Sequence, residues 1–197
     1  MTDASPTPPA GGPRRIARVG GSLALAFAII FAAWLVADRQ GLGDLGQGGM
    51  NDNPLPKVGE MAPDFVVPDL LGQAHTLSEY RGQVVWVNFW GSWCQPCRAE
   101  MPELQAAYET LAPQGLVFLA ISQRETPTDA ALFAARNNVR FPILTDPDQS
   151  LTFDGYPVNN YPTHILIGRD GRVYRIILSN LDQTQVTEAA EDLIANG

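Results

Sequence analysis

"NFWGSWCQPC", Asn88–Cys97, holds both cysteines of a 197-residue chain, two residues apart. The run leading into it, "QVVWVNFW" (83–90), is dense in β-branched and aromatic residues and apolar on both faces, which suits a central strand. Pro96–Ala112 follows as a helix, with Leu104, Ala107, Tyr108 and Leu111 at helical spacing and Pro102 as an expected kink. The cysteines therefore fall where a strand runs straight into a helix. At such a junction the unpaired N–H groups of the first turn and the macrodipole favour negative charge. Cys94 sits there, and a helix N-terminus lowers a cysteine pKa from about 8.5 into a range of roughly 3.5 to 7.5. This makes Cys94 the nucleophile. Cys97, inside the first turn, is placed to resolve a mixed disulfide by attacking Cys94, and Pro96 fits the first turn because its missing N–H costs nothing there.

Three other roles compete for the cysteines. A zinc site usually needs four ligands, and only His75 and His164 remain, far apart in sequence. A purely structural disulfide would close a tiny loop and constrain the unfolded chain little. Inert buried cysteines leave the strand–helix placement without a purpose.

The rest of the globular region reads outward from this junction. "DFVVPDLLGQAHTLSEY" (64–80) contains two short extended pieces, Phe65–Val67 and Ala74–Leu77, joined through Gly72 as a β-hairpin, with Ser78 as the expected cap of one helical turn. "GLVFLAIS" (115–122) is a second buried strand, and "TPTDAALFAARNN" (126–138) a helix capped by Thr126 with Pro127 at its first position. Strand, helix, strand, helix is the βαβ pattern. "FPILTD" (141–146) comes next. "THILIGRDGRVYRIIL" (163–178) gives two strands around a Gly-Arg-Asp-Gly turn, and a last helix runs from about Gln183 to Ala195. The predicted fold is α/β, with a mixed sheet carrying an antiparallel hairpin at one side.

The formal charge is −8. From Val58 onward there are 17 acidic and 8 basic residues, whereas Met1–Lys57 carries 4 acidic and 5 basic. Phosphate recognition needs a cationic stripe, so an acidic globular region argues against nucleic acid as a partner.

Val19–Ala37, "VGGSLALAFAIIFAAWLVA", has no charged residue and as a helix would run about 28 Å, close to a hydrocarbon core of about 30 Å. Residues 19–37 are thus expected to be a transmembrane helix. Arg14, Arg15 and Arg18 precede it, which puts the N-terminus in the cytoplasm and the globular region outside, on the periplasmic side in a cell with two membranes. A cleaved signal peptide is the competing reading, disfavoured by the length of the run and by Leu35 where a small residue is preferred. Residues 1–18 begin with a Pro- and Gly-rich disordered tail, and residues 38–57 interleave glycine, proline and polar residues as a flexible linker. The globular domain is expected over 58–197.

The segments "GEMAPDF", "LSEYRGQVVWVNFWGSWCQPCRAEMPEL" and "YPTHILIGRDGRV" resemble the thioredoxin superfamily, specifically its membrane-anchored TlpA/ResA-like thiol–disulfide oxidoreductases. The resemblance runs from about Val58 to the C-terminus. It implies a thioredoxin-like fold with the CxxC at a helix start and a cis-proline opposite. Pro162 occupies that position, with Pro157 a less well placed rival, and Tyr161 would offer backbone groups to an extended substrate. Glu100 matches the acidic residue three positions after the second cysteine. Two roles are open to it: general base for the Cys97 thiol, or complement to the helix N-terminus. Asn88 departs from thioredoxins, which carry a buried acid at that position, and it cannot take a proton at neutral pH. Trp90 and Trp93 are expected to pack, and Trp93 is also a candidate cover for the disulfide and contact for substrate. His164 is either close to the site or a structural histidine.

The resemblance implies an enzyme that reduces disulfides in extracytoplasmic proteins and needs no cofactor beyond its own Cys94–Cys97 pair. A membrane thiol transporter of the DsbD/CcdA type is the implied electron donor, and the CxxCH segment of apocytochrome c, during cytochrome c biogenesis, a possible substrate. A disulfide-forming oxidant and a non-catalytic binding module remain as alternatives. A peroxidase ranks below them, because Gly91 stands where a T-x-x-C motif would place threonine.

Overall fold

A computed structural model describes residues 55–151 and 155–197, together with Phe31. The chain divides into two units, Met1–Met50 and Asn51–Gly197. The tail and the expected transmembrane segment (19–37) lie outside the described residues apart from Phe31, which is helical, as does the linker up to residue 54. Among the described residues, no helix is long and apolar enough to cross a membrane.

The second unit is built on a five-stranded sheet. In chain order the strands are β3 (Val84–Trp90), β4 (Leu116–Gln123), β5 (Ile143–Asp146), β6 (Thr163–Ile167) and β7 (Val173–Ile177). Their spatial order is β5-β4-β3-β6-β7, with β3, β4 and β5 parallel and β6 and β7 antiparallel to their neighbours. This is the mixed sheet expected from the sequence. The helices that position the site are α1 (Gln95–Leu111), which crosses from β3 to β4, α2 (Pro127–Arg136), between β4 and β5, and α3 (Gln183–Asn196). A separate antiparallel hairpin, β1 (Val66–Pro68) with β2 (Ala74–Thr76), turns at Gly72, whose φ of +83° glycine adopts freely. One isolated bridge, Asp69 to Leu144, ties it to β5.

Every residue of β3 is buried, as its apolar pattern requires. Its two faces feed two cores. Val84, Trp86 and Trp90 pack with Met101, Leu104 and Leu111 of α1, with Ala130 and Ala134 of α2, and with Val186, Ala190 and Leu193 of α3. Val85, Val87 and Phe89 face the opposite core, which holds Phe65, Val67, Leu77 and Tyr156. The hairpin covers a sheet face that would otherwise be wet.

Of the two caps expected from the sequence, one is met and one is corrected. Thr126 accepts the Asp129 N–H at 3.2 Å with Pro127 opening α2. The 3₁₀ turn Leu77–Tyr80 is capped by Thr76, two residues before Ser78: the Glu79 carboxylate accepts the Thr76 N–H, and the Ser78 N–H donates to Asp64 at 2.9 Å. Asp64 reaches across from the hairpin's approach and takes the donor that a local cap would have used. Helix α1 is continuous through Pro102.

Candidate active site

The strand-to-helix junction places the cysteines. Cys94 is the N-cap of α1 with an extended backbone (φ −87°, ψ 108°), and its Sγ accepts the Cys97 N–H at 3.3 Å. A sulfur that accepts a helix N-terminal N–H is stabilised as thiolate, the state that attacks disulfides. Cys94 and Cys97 form a disulfide with Cα atoms 5.3 Å apart. Cys94 keeps 5% of its surface exposed and Cys97 none, so a partner sulfur meets Cys94 first.

Two clamps hold the segment before Cys94. Glu125, at the end of β4, accepts the Ser92 N–H at 2.9 Å, the Ser92 hydroxyl, and the Ser122 hydroxyl at 2.5 Å. The Trp93 indole N–H donates to the Gln123 carbonyl at 2.8 Å, and the Gln123 side chain in turn donates to buried Asp146 at 2.9 Å. Gly91 permits this fold-back, because a Cβ there would collide with the Trp93 ring. Glu125 carries no motif that marks it in the sequence.

Trp93 and Tyr161 stand edge to face, with centroids 5.1 Å apart. Tyr161–Pro162 is the cis peptide, and Pro162 leads directly into β6. Trp93 is 47% exposed, and Tyr161 is half-buried. Arg124 lies over both rings, 5.8 Å and 5.4 Å from their centroids. Burial pushes the Tyr161 phenol above its ordinary pKa, partly offset by the Arg124 guanidinium.

Behind the cysteines lies a buried polar cluster that joins three expected or weighed residues. Glu100 is 1% exposed, one turn along α1 from Cys97. Its Oε1 accepts the Asn88 side-chain N–H at 3.3 Å, and its Oε2 accepts the Leu181 backbone N–H at 3.1 Å. His164 Nε2 stands 3.3 Å from the same Oε2, without hydrogen-bond alignment. On the other side of the imidazole, Nδ1 is 3.2 Å from the Trp86 indole nitrogen and 3.0 Å from Asn88 Nδ2. Indole nitrogen only donates, so Nδ1 is the acceptor and a neutral His164 carries its proton on Nε2, facing Glu100. The network assigns this tautomer. Asn88 and His164 are direct cross-strand partners in the β3–β6 register, and both project toward α1. Their joint position is a tertiary fact; the available sequence signal was that each is a polar residue inside an apolar strand.

The AhpC/TSA family matches residues 58–176, a span that includes the cysteines, Glu100, Pro162 and His164. The chain belongs to the AhpC/TSA family. Within it, the chain is 38% identical over 136 residues to the thiol-disulfide oxidoreductase ResA of Geobacillus thermodenitrificans, covering 69% of this chain and 78% of that one. The ResA of Geobacillus kaustophilus is 39% identical over the same shares of each chain. Among solved structures, a protein described as thiol:disulfide interchange protein DsbE from Chlorobium tepidum superposes with a TM-score of 0.63 at 31% identity, covering 71% of this chain and 96% of the other. This family member is a thiol–disulfide oxidoreductase with a thioredoxin-like fold and protein substrates, as its resemblance to ResA-like proteins implied.

Proposed function

We propose that the protein reduces disulfides in extracytoplasmic proteins. The Cys94 thiolate attacks one sulfur of a substrate disulfide, forming a Cys94–substrate bond and releasing the other substrate sulfur as a thiolate. Cys97 then loses its proton to Glu100, and its thiolate attacks Cys94 Sγ. The Cys94–Cys97 disulfide forms, the second substrate thiolate leaves, and two electrons have passed to the substrate. Trp93, Tyr161 and Pro162 flank the path of the substrate segment. No cofactor is needed beyond the cysteine pair, which a membrane thiol transporter of the DsbD/CcdA type re-reduces. The uncharged run 19–37, with its preceding arginines, supports a single-pass anchor that leaves the catalytic domain outside the cytoplasm. The CxxCH segment of apocytochrome c is the candidate substrate in cytochrome c maturation.

The observation that carries this reading is the division of labour between the sulfurs: Cys94 retains a small exposed area, 5%, and accepts a helix N–H, while Cys97 is fully buried one turn inside. Trapping tests it. In the full-length chain, Cys97→Ser should accumulate Cys94-linked mixed disulfides with partner proteins, and Cys94→Ser should accumulate none. Equal trapping by both variants would overturn the assignment.

A further inference from the structure

Beside the disulfide, between the start of α1 and the outer side of α2, an open cleft is lined by Trp93, Leu132 and Phe133 and by three arginines, Arg98, Arg124 and Arg136. The surrounding domain is acidic, with 17 acidic and 8 basic residues from Val58 onward, so three of its eight basic side chains gather at one place. That place is walled by Trp93, the residue directly before Cys94. Two carboxylates also line the cleft, yet both are turned to local donors: Glu125 to Ser92 and Ser122, and Asp129 to the Thr126 hydroxyl at 2.7 Å. Among the described residues, the arginines that form ion pairs are Arg172 and Arg175, both elsewhere. The three cleft arginines are exposed and paired with no carboxylate among those residues.

Two of them are held in place by rings. Arg98 lies 6.0 Å from the Phe133 centroid, and Arg124 spans Trp93 and Tyr161 from a left-handed backbone position (φ 58°) that non-glycine residues seldom take. Arg124 also hydrogen-bonds the Tyr161 hydroxyl, and a guanidinium carries five N–H donors, so further donors remain for a carboxylate. Three exposed guanidinium groups beside two carboxylates already engaged by local donors leave a net positive cleft on an acidic body, which favours the approach of negative groups.

We propose that this cleft receives an acidic segment of the substrate polypeptide, flanking the disulfide that Cys94 attacks. The inference rests on the reductase reading and adds a substrate preference to it: carboxylates beside the reacting cysteine bind Arg124 and Arg136, and an apolar neighbour lies on Trp93 and Leu132. Substrates with basic flanks are disfavoured by the same charges.

The test uses the full-length chain in non-ionic detergent, reduced with dithiothreitol and freed of it. Three peptides carry one disulfide flanked by Asp/Glu, by Ser/Gly or by Lys. The acidic peptide should be reduced about tenfold faster than the neutral one at low ionic strength, and the basic one more slowly than either. That ratio should collapse toward one at about 0.5 M salt, where screening is short-ranged, and in the Arg124→Gln/Arg136→Gln double variant. The corresponding Lys/Lys double variant should keep it, which separates charge from folding, and the neutral peptide corrects each variant for its intrinsic reactivity. A ratio near one in the unsubstituted chain, or a ratio unchanged in the Gln/Gln variant, would overturn the inference. So would a ratio near one combined with arginine-dependent capture by phosphatidylglycerol vesicles, which would make the cleft lipid-facing. Failure to reduce all three peptides would overturn the reductase reading itself, and this inference with it.

Discussion

His164 Nε2 lies 3.3 Å from Glu100 Oε2, and neither side chain is reachable by solvent. Because Trp86 and Asn88 both approach Nδ1, the histidine presents its Nε2 side to the carboxylate, and the Asn88 and Leu181 N–H groups hold the carboxylate's two oxygens. A carboxylate buried behind the resolving cysteine is thereby kept solvated by the protein. In the proposed function it is the proton acceptor for Cys97, one helical turn away along α1.

Glu100→Gln should therefore slow the second step and spare the first. Positioned general bases contribute about 10² to 10⁴ in rate, so attack of Cys97 on the mixed disulfide should fall at least about 100-fold near neutral pH. The gap should narrow as pH rises toward an ordinary thiol pKa of about 8.5. Stopped-flow tryptophan fluorescence with a pre-formed Cys94 mixed disulfide reads this step alone. An unchanged resolving rate would reduce Glu100 to a partner of the helix N-terminus.

His164→Leu tests the cluster as structure. It removes the acceptor shared by the Trp86 indole N–H and the Asn88 amide, leaving buried donors unsatisfied, at a cost of about 1 to 3 kcal/mol. Urea unfolding should show a lower midpoint with an unchanged slope. Pairing it with Trp86→Phe should cost less than the two single losses added together, since the changes share one hydrogen bond.

The hairpin carries a local acid response. Asp69 is held below its ordinary value near 3.8, first by the Gln73 N–H and then by the Leu71 N–H and His75. Its folded pKa lies below its unfolded one, so its contribution is complete above the unfolded value and lost as pH falls through the folded value. Asp69→Asn should lower stability at neutral pH, where the aspartate's contribution is complete, and flatten the stability–pH curve below about pH 4, so that the two proteins converge in acid. Chemical denaturation of the two proteins at stepped pH measures the difference.

The junction at Cys94 was legible because hydrophobic periodicity changes there from strand to helix within a few residues, and the capping position follows from that change alone. Thr126–Pro127 was legible for the same local reason. The cluster around Glu100 was not. It depends on the register that sets Asn88 beside His164 and on a backbone N–H from Leu181, contacts made across 76 and 81 residues of chain. Glu125 escaped notice because its partners, Ser92 and Ser122, lie at the ends of two strands that only the parallel sheet brings together. The cis peptide before Pro162 came from resemblance, since only about 5 to 6% of X–Pro bonds in folded proteins are cis and the residues around it do not single it out.

The direction of electron flow is the central claim, and the reduction potential of the Cys94–Cys97 couple tests it most directly. Both cysteines of the chain belong to that couple, so equilibration of the full-length protein with graded dithiothreitol or glutathione buffers reports it without interference. A value of about −250 mV or lower is predicted, the poise of a reductant recharged by a dedicated donor. A value near about −120 mV would contradict it and make the protein a source of disulfides.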